Sequence, residues 1–216
     1  MLHDITPTIT PDLAVWPGDT PATREVLMDM KRGHTVTLST LRVTVHLGAH
    51  ADAPSHYGFD APSIESRPLE PYLGPCRVVH VGVSRGERFG LGHLSRARVD
   101  DLAGDAARGV RRALFRTGTF PDPCAFNEDF AAFDPALVDW LHERCFTLAG
   151  LDTPSVDLFH SKDLPSHKRF LAHDMAILEG VTLADVPEGV YELIALPLKL
   201  AGFDASPVRA VLRSIK

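Results

Sequence analysis

The stretch that most constrains this chain is His46-Leu-Gly-Ala-His50-Ala-Asp52-Ala-Pro-Ser-His56. It sets three imidazoles and a carboxylate at i, i+4, i+6 and i+10, with small residues or proline between most of them. Just before it, Thr40-Leu41-Arg42-Val43-Thr44-Val45 alternates apolar and polar residues with the period of two that marks a half-buried strand. A strand over Thr35–Leu47 turns Leu41, Val43, Val45 and Leu47 toward a core and Arg42, Thr44 and His46 to the other face. The same parity carried forward sets His50, Asp52 and His56 beside His46, with Gly48 as the point where a bulge can shift the phase. A lone histidine is most often a hydrogen-bonded polar residue and nothing more. Four metal-competent side chains in one short run are poorly explained as surface decoration, and their chemistry suits a hard or borderline divalent cation such as zinc or manganese.

The totals narrow the function classes. A chain of 216 residues with 44% hydrophobic composition is expected to form one globular domain over 1–216. A net charge of −6 and the lack of any Lys/Arg-rich run argue against a nucleic-acid partner. No run approaches the roughly 20 apolar residues of a membrane span, and Met-Leu-His-Asp-Ile-Thr-Pro lacks the regions of a signal peptide, so a cytoplasmic location is expected. Cys76, Cys124 and Cys145 are odd in number and far apart, which fits buried or semi-buried thiols rather than a disulfide framework or a cysteine metal knuckle.

Along the chain, strands are expected at Leu2–Ile5, Thr23–Met30, Thr35–Leu47, Cys76–Val83, Val110–Thr117, Phe146–Ala149, Tyr191–Leu198 and Pro207–Leu212. Pro7 to Pro21 reads as a loop in which Trp16, held extended by the following proline, either plugs the core or walls a ligand pocket. Gly92–Val99 reads as a short helix, Asp134-Pro135 as the cap and first position of a helix to Arg144, and Ser166 as the cap of a helix with His167–Met175 as its body. Many strands with a few interspersed helices predict an α/β or α+β domain built on a mixed sheet or barrel.

Gly82-Val83-Ser84-Arg85-Gly86 matches the G-x-S-x-G pattern of a serine nucleophile. That motif needs a helix directly after it, and Gly90-Leu-Gly92 argues against one. The histidine stretch is the more specific signal. Three of its ligands leave the open position of a catalytic single-metal site, and a two-metal site needs further ligands and a shared carboxylate. The second half of the chain offers His160, His167, His173, Asp174 and Glu179. Twelve residues on one unbroken helix span about 18 Å, so His167 and Glu179 can share an ion only if the chain turns between them. The spacing alone leaves His173 with Glu179 as an equal alternative.

Six segments, in order, resemble one family. They are Val15-Trp-Pro-Gly-Asp-Thr-Pro21, His46-x-Gly-Ala-His50-Ala-Asp52-Ala-Pro-x-His56-Tyr57, Tyr72-Leu-Gly-x-Cys-Arg-Val78, Gly150-Leu-Asp-Thr-Pro-Ser155, Ala176-Ile-Leu-Glu-Gly180 and Glu192-Leu-Ile-Ala-Leu-Pro-Leu198. Together they resemble the bacterial kynurenine formamidases (arylformamidases) within the metal-dependent cyclase family. The resemblance implies a mixed β-sheet/barrel core with flanking helices, of the swivelling β/β/α type. It implies hydrolysis of N-formyl-L-kynurenine in tryptophan breakdown by a cytoplasmic homodimer that carries two zinc ions per subunit, with manganese or another divalent cation able to substitute. By that resemblance His46, His50 and Asp52 hold one ion, and Asp52, His167 and Glu179 hold a second. His56 stands at the proton-transfer position and Trp16 at the substrate-contacting aromatic, while His160 and His173 are supporting residues. Leu47 departs from a frequent family threonine at a position that parity turns away from the ligands. The alternatives are a related amidohydrolase opening a cyclic amide such as isatin, a Ser84 hydrolase, and a metal-loaded binding protein without turnover.

Overall fold

The computed structural model describes residues 1–215. In chain order the elements are β1 (Leu2–Asp4), β2 (Thr23–Met28), β3 (Leu38–Arg42), β4 (His50–Asp52), β5 (Leu73–His80), β6 (Arg88–Phe89), α1 (Arg96–Ala107), β7 (Arg112–Arg116), β8 (Ala132–Phe133), α2 (Pro135–Glu143), β9 (Leu148–Leu151), α3 (Pro165–Ala172), β10 (Ala176–Glu179), β11 (Gly189–Ile194), β12 (Ala205–Pro207) and β13 (Val211–Ser214). Nine of the strands form one mixed sheet in the order β1-β13-β11-β5-β7-β9-β10-β4-β12. Its centre, β5-β7-β9-β10, is parallel, and α1, α2 and α3 are the successive crossovers. The flanking pairs are antiparallel. Central strands such as Arg112–Arg116 bury both faces, which is why they read as continuous apolar runs.

Alternate residues of these strands feed two cores. Val79, Ala113, Phe115, Ala149 and Ile177 pack under the helices with Leu102, Leu137, Leu141 and Phe170. Val78, Leu114, Leu148 and Leu178 point the other way, into a cluster that also holds Ile5 and Leu212 from one end of the strand order and Ala49 and Ala51 from the other. Residues from opposite ends share one core because the sheet curls into a half-barrel around it. The link from β12 to β13 joins the two ends: Val208 N–H donates to Ala49 O, and Ile5 N–H to Ala210 O.

Several expectations are corrected. The strand expected over Thr35–Leu47 ends at Arg42, pairs only with β2, and leaves Leu38 and Leu41 exposed. Residues 45–49 are bends, and Gly48 takes a φ of +54°. Leu47 does turn away from the ligands, into a small cluster with Leu13 and Ala22. The helix expected at Gly92–Val99 starts later, capped by Ser95, and runs to Ala107. The strand expected at Pro207–Leu212 divides into β12 and β13. Two of the thiols, Cys124 and Cys145, are exposed, and only Cys76 is buried. Ser166 lies inside α3 rather than capping it; its Oγ donates to Phe133 O.

Candidate metal centre

β4 is a three-residue strand wedged between β10 and β12. Its pairing with β10 sets Glu179 directly opposite His50, so both side chains leave the same face, and Asp52 follows His50 by one strand period. His50 Nε2 stands 3.2 Å from Glu179 Oε2 and 3.5 Å from Asp52 Oδ1. Gly180 closes this corner. Its φ is +64°, and a Cβ built on it would lie 2.1 Å from Gly48 O, so only glycine lets the chain leaving β10 pass the bend that carries His46. From that bend His46 reaches back to place Nδ1 3.1 Å from Asp52 Oδ1.

His167 arrives from the first turn of α3, and the chain does turn between it and Glu179. The helix ends at Ala172, Asp174 adopts a φ of +48°, and β10 begins at Ala176. His167 Nε2 lies 3.7 Å from Asp52 Oδ2 and 3.9 Å from Glu179 Oε1. Each of these three histidines is aimed by an acceptor behind it. His46 Nε2 donates to Asp204 (2.9 Å), His50 Nδ1 to Gly48 O (2.8 Å) and His167 Nδ1 to Asp157 (2.8 Å). The remaining nitrogen of each ring therefore faces Asp52. Acceptors of this kind fix the tautomer and orientation of metal-binding histidines.

Asp52 is wholly buried, and neither of its oxygens nor His50 Nε2 has a hydrogen-bond partner among the described residues. Leaving such groups unpaired is costly unless something else satisfies them. The charge balance points the same way. Burial pushes the Asp52 carboxyl up, but His167, His46 and His50 hold it well below the usual range. Burial pushes His46 and His167 down, yet the carboxylates around them hold His46 up at about 9 and His167 at about 10. These residues fit a divalent metal, and Asp52 turns one oxygen toward His46 and His50 and the other toward His167.

His56 ends a short 3-10 turn started by Pro54, with its ring 4.1 Å from that of His46. On distance alone it could join His46 and Asp52 as a donor. Its Nδ1, however, is turned to Asp204 at 3.5 Å, and 37% of its side chain is open to solvent. Burial lowers its pKa below the usual imidazole value, helped by His46 and His167 and opposed by Asp52 and Glu179.

These groups open into a cavity of about 700 Å³. Trp16 forms its aromatic wall, tilted against Phe159 at 4.8 Å and edge-on to Phe126 at 5.6 Å. Trp16 is thus a wall residue rather than a core plug. The other histidines are elsewhere. His173 bonds Asp139 and stacks on His142, and His160 is 82% exposed beside Glu128. Asp174 is held by Arg67. Ser84 sits in an exposed loop that does not line the cavity.

Sequence reasoning missed Asp157, Asp204 and the phenylalanines that pack on Trp16. Asp157 also accepts from the backbone N–H groups of Ser166 and His167, so it caps α3 from a distance. No local pattern marks it. Asp204 stands between Gly202-Phe203 and Ala205-Ser206-Pro207, a turn-like context that was its one visible signal.

The family model described as "Putative cyclase" matches residues 3–158. A kynurenine formamidase of Bordetella petrii is 45% identical over 214 residues, covering 99% of this chain and 98% of that protein. Among solved structures, a predicted metal-dependent hydrolase from Bacillus stearothermophilus is 26% identical with a TM-score of 0.75, covering 98% of this chain and 97% of that one. Isatin hydrolase A from Labrenzia aggregata, 23% identical with a TM-score of 0.80 over 98% of this chain and 93% of its own, shares the fold. A half-barrel that gathers histidines and carboxylates around the buried Asp52, and a sequence match over nearly the whole length, lead to one conclusion: the chain belongs to the cyclase family.

Proposed function

We propose that this protein hydrolyses N-formyl-L-kynurenine to L-kynurenine and formate, a step of tryptophan breakdown. The observation that carries this reading is the convergence of one ring nitrogen from each of His46, His50 and His167 on the buried Asp52 carboxylate, at the end of an aromatic-walled cavity. Its support from relatives is the 45% identity to a kynurenine formamidase. On this reading His46, His50 and Asp52 hold one divalent cation and Asp52, His167 and Glu179 a second, with zinc favoured by the imidazole-rich donor set and manganese able to substitute. Such cations supply Lewis acidity and lower the pKa of water toward neutrality.

The chain's own residues do the rest. Trp16 and Phe126 enclose the aryl ring and orient the formamide toward Asp52. The water oxygen bonds to the formyl carbon, the carbon–nitrogen bond breaks, and the nitrogen must leave protonated. His56, with Nδ1 turned to Asp204, accepts the water proton at Nε2 and returns it to that nitrogen. The protein acts as one domain and as a homodimer in the cytoplasm; no helix among the described residues is long and apolar enough to cross a membrane.

The test is formate release from N-formyl-L-kynurenine, with isatin as a parallel substrate. Turnover is expected with the formamide, to vanish on chelation and to return with zinc. His56→Ala is expected to lose about 10²–10⁴-fold in kcat with its metal content unchanged. Turnover that survives chelation, or that occurs only with isatin, overturns the reading. Loss of metal in His56→Ala makes His56 a ligand instead.

A further inference from the structure

The arginines that are buried or half-buried are occupied, with one exception. Arg67 and Arg77 hold the carboxylates of Asp174 and Asp105, Arg88 holds Asp157, and Arg98 holds Glu188. Arg111, Arg112 and Arg144 donate to backbone carbonyls. Arg116 is half-buried and has no hydrogen bond or ion pair from its guanidinium among the described residues, yet it lines the cavity that contains His56, His167 and Glu179. A guanidinium without a protein partner at the wall of a cavity is free to hold an incoming anion.

Its place in the fold sharpens this. Arg116 ends β7, Asp152 follows β9 and Glu179 ends β10, at the carboxyl edge of three neighbouring parallel strands. Ligands of open α/β sheets bind beyond that edge. Phe115 pairs with Leu151, so Arg116 is level with Asp152, and its backbone stands two strand spacings, on the order of 10 Å, from that of Glu179. The acids nearby do not neutralise it. Asp152 accepts from the Thr117 and Gly118 N–H groups and the Thr117 hydroxyl, and Asp19 accepts from Thr20 and Thr44. The cavity's acids are held by their own donors, and its arginine is open to an anion.

We propose that Arg116 is a specificity-determining residue that binds the carboxylate of an aryl formamide with an anionic tail. The inference rests on the formamidase reading and adds the group that separates an amino-acid substrate from a neutral anilide. In N-formyl-L-kynurenine seven covalent bonds lie between the formyl carbon and the carboxylate carbon, so its two ends need separate recognition points. The Asp52 centre takes one and Arg116 the other, with the aromatic wall along the ring between them. The guanidinium fork matches a carboxylate through two parallel N–H donors.

The experiment compares N-formyl-L-kynurenine with 2-formamidoacetophenone, which keeps the aryl ketone and formamide and lacks the amino-acid tail, in the metal-loaded enzyme. Arg116→Ala is expected to raise KM for the first substrate about ten- to hundredfold and to change KM for the second less than about twofold, with Arg116→Lys in between for the first substrate only. In the unaltered enzyme, L-kynurenine is expected to inhibit more tightly than 2-aminoacetophenone, and this preference to shrink as salt rises. If the unaltered enzyme hydrolyses neither formamide, the formamidase reading itself fails. If it hydrolyses both, but Arg116→Ala alters both alike or neither, or the two products inhibit equally, the role of Arg116 is overturned and the formamidase reading stands.

Discussion

Asp157 is the residue on which most of the second ligand set depends, although it touches no reacting atom in the proposed reaction. It accepts from the His167 ring, from two N–H groups at the start of α3 and from Arg88, so one carboxylate fixes a helix end and a ring together. Burial pushes it up, but the ring and backbone donors of His167, together with Arg88, bring it down to about 2. The folded value lies below the ordinary 3.8, so its stabilisation is complete above that pH and is lost as pH falls through about 2. It amounts to about 2 kcal/mol. Asp157→Asn is expected to flatten the acid limb of a denaturation series between pH 5 and 2 and to weaken metal binding about 10–100-fold, read by chelator competition. A variant with the acid limb and metal affinity of the parent contradicts this role.

At the scale of elements, the corner where the turn after β10 meets the bend before β4 is held by contact of one backbone with another. Gly180→Ala places a methyl group against Gly48 O in a left-handed conformation. A loss of about 1–3 kcal/mol or more is expected in chemical denaturation, together with reduced metal content, because the same corner sets His50 opposite Glu179. Full metal content in a destabilised variant shows that the corner supports the fold without placing the ligands. The elements also show what the sequence made legible. The runs of β5, β7 and the Asp134-capped α2 were visible because burial on both faces and local capping leave patterns within a few residues. β4 and β10 were not, because three or four residues beside glycine and proline carry no strand signal of their own; their neighbours make them strands. The alternation before His46 pointed to a core strand, yet it belongs to an exposed ribbon, since period two marks two faces without saying what covers either. His46, His50, Asp52 and His56 were legible as a group through their density. Asp204 and Asp157 were not, because each is brought to its histidine by tertiary packing alone.

At the scale of the whole molecule, the β2–β3 ribbon pairs with no other strand among the described residues and exposes Val26, Leu27, Leu38 and Leu41. A two-stranded ribbon is marginally stable alone in water, so the homodimer proposed above is expected to cover it. Sedimentation of the parent as a dimer, and of Leu41→Glu as a monomer or a weakened dimer, is the expected pair of results; a monomeric parent removes the homodimer. The cavity has a further consequence. Its floor is made of paired strands and a helix end, where shifting one ligand disturbs its neighbours, whereas Trp16, Phe120 and Phe126 come from loops outside the described strands and helices. Loops tolerate replacement far better than strands inside a sheet. A lineage built on this plan can therefore retain its chemistry while trading one clientele of molecules for another, and innovation would fall first on the walls.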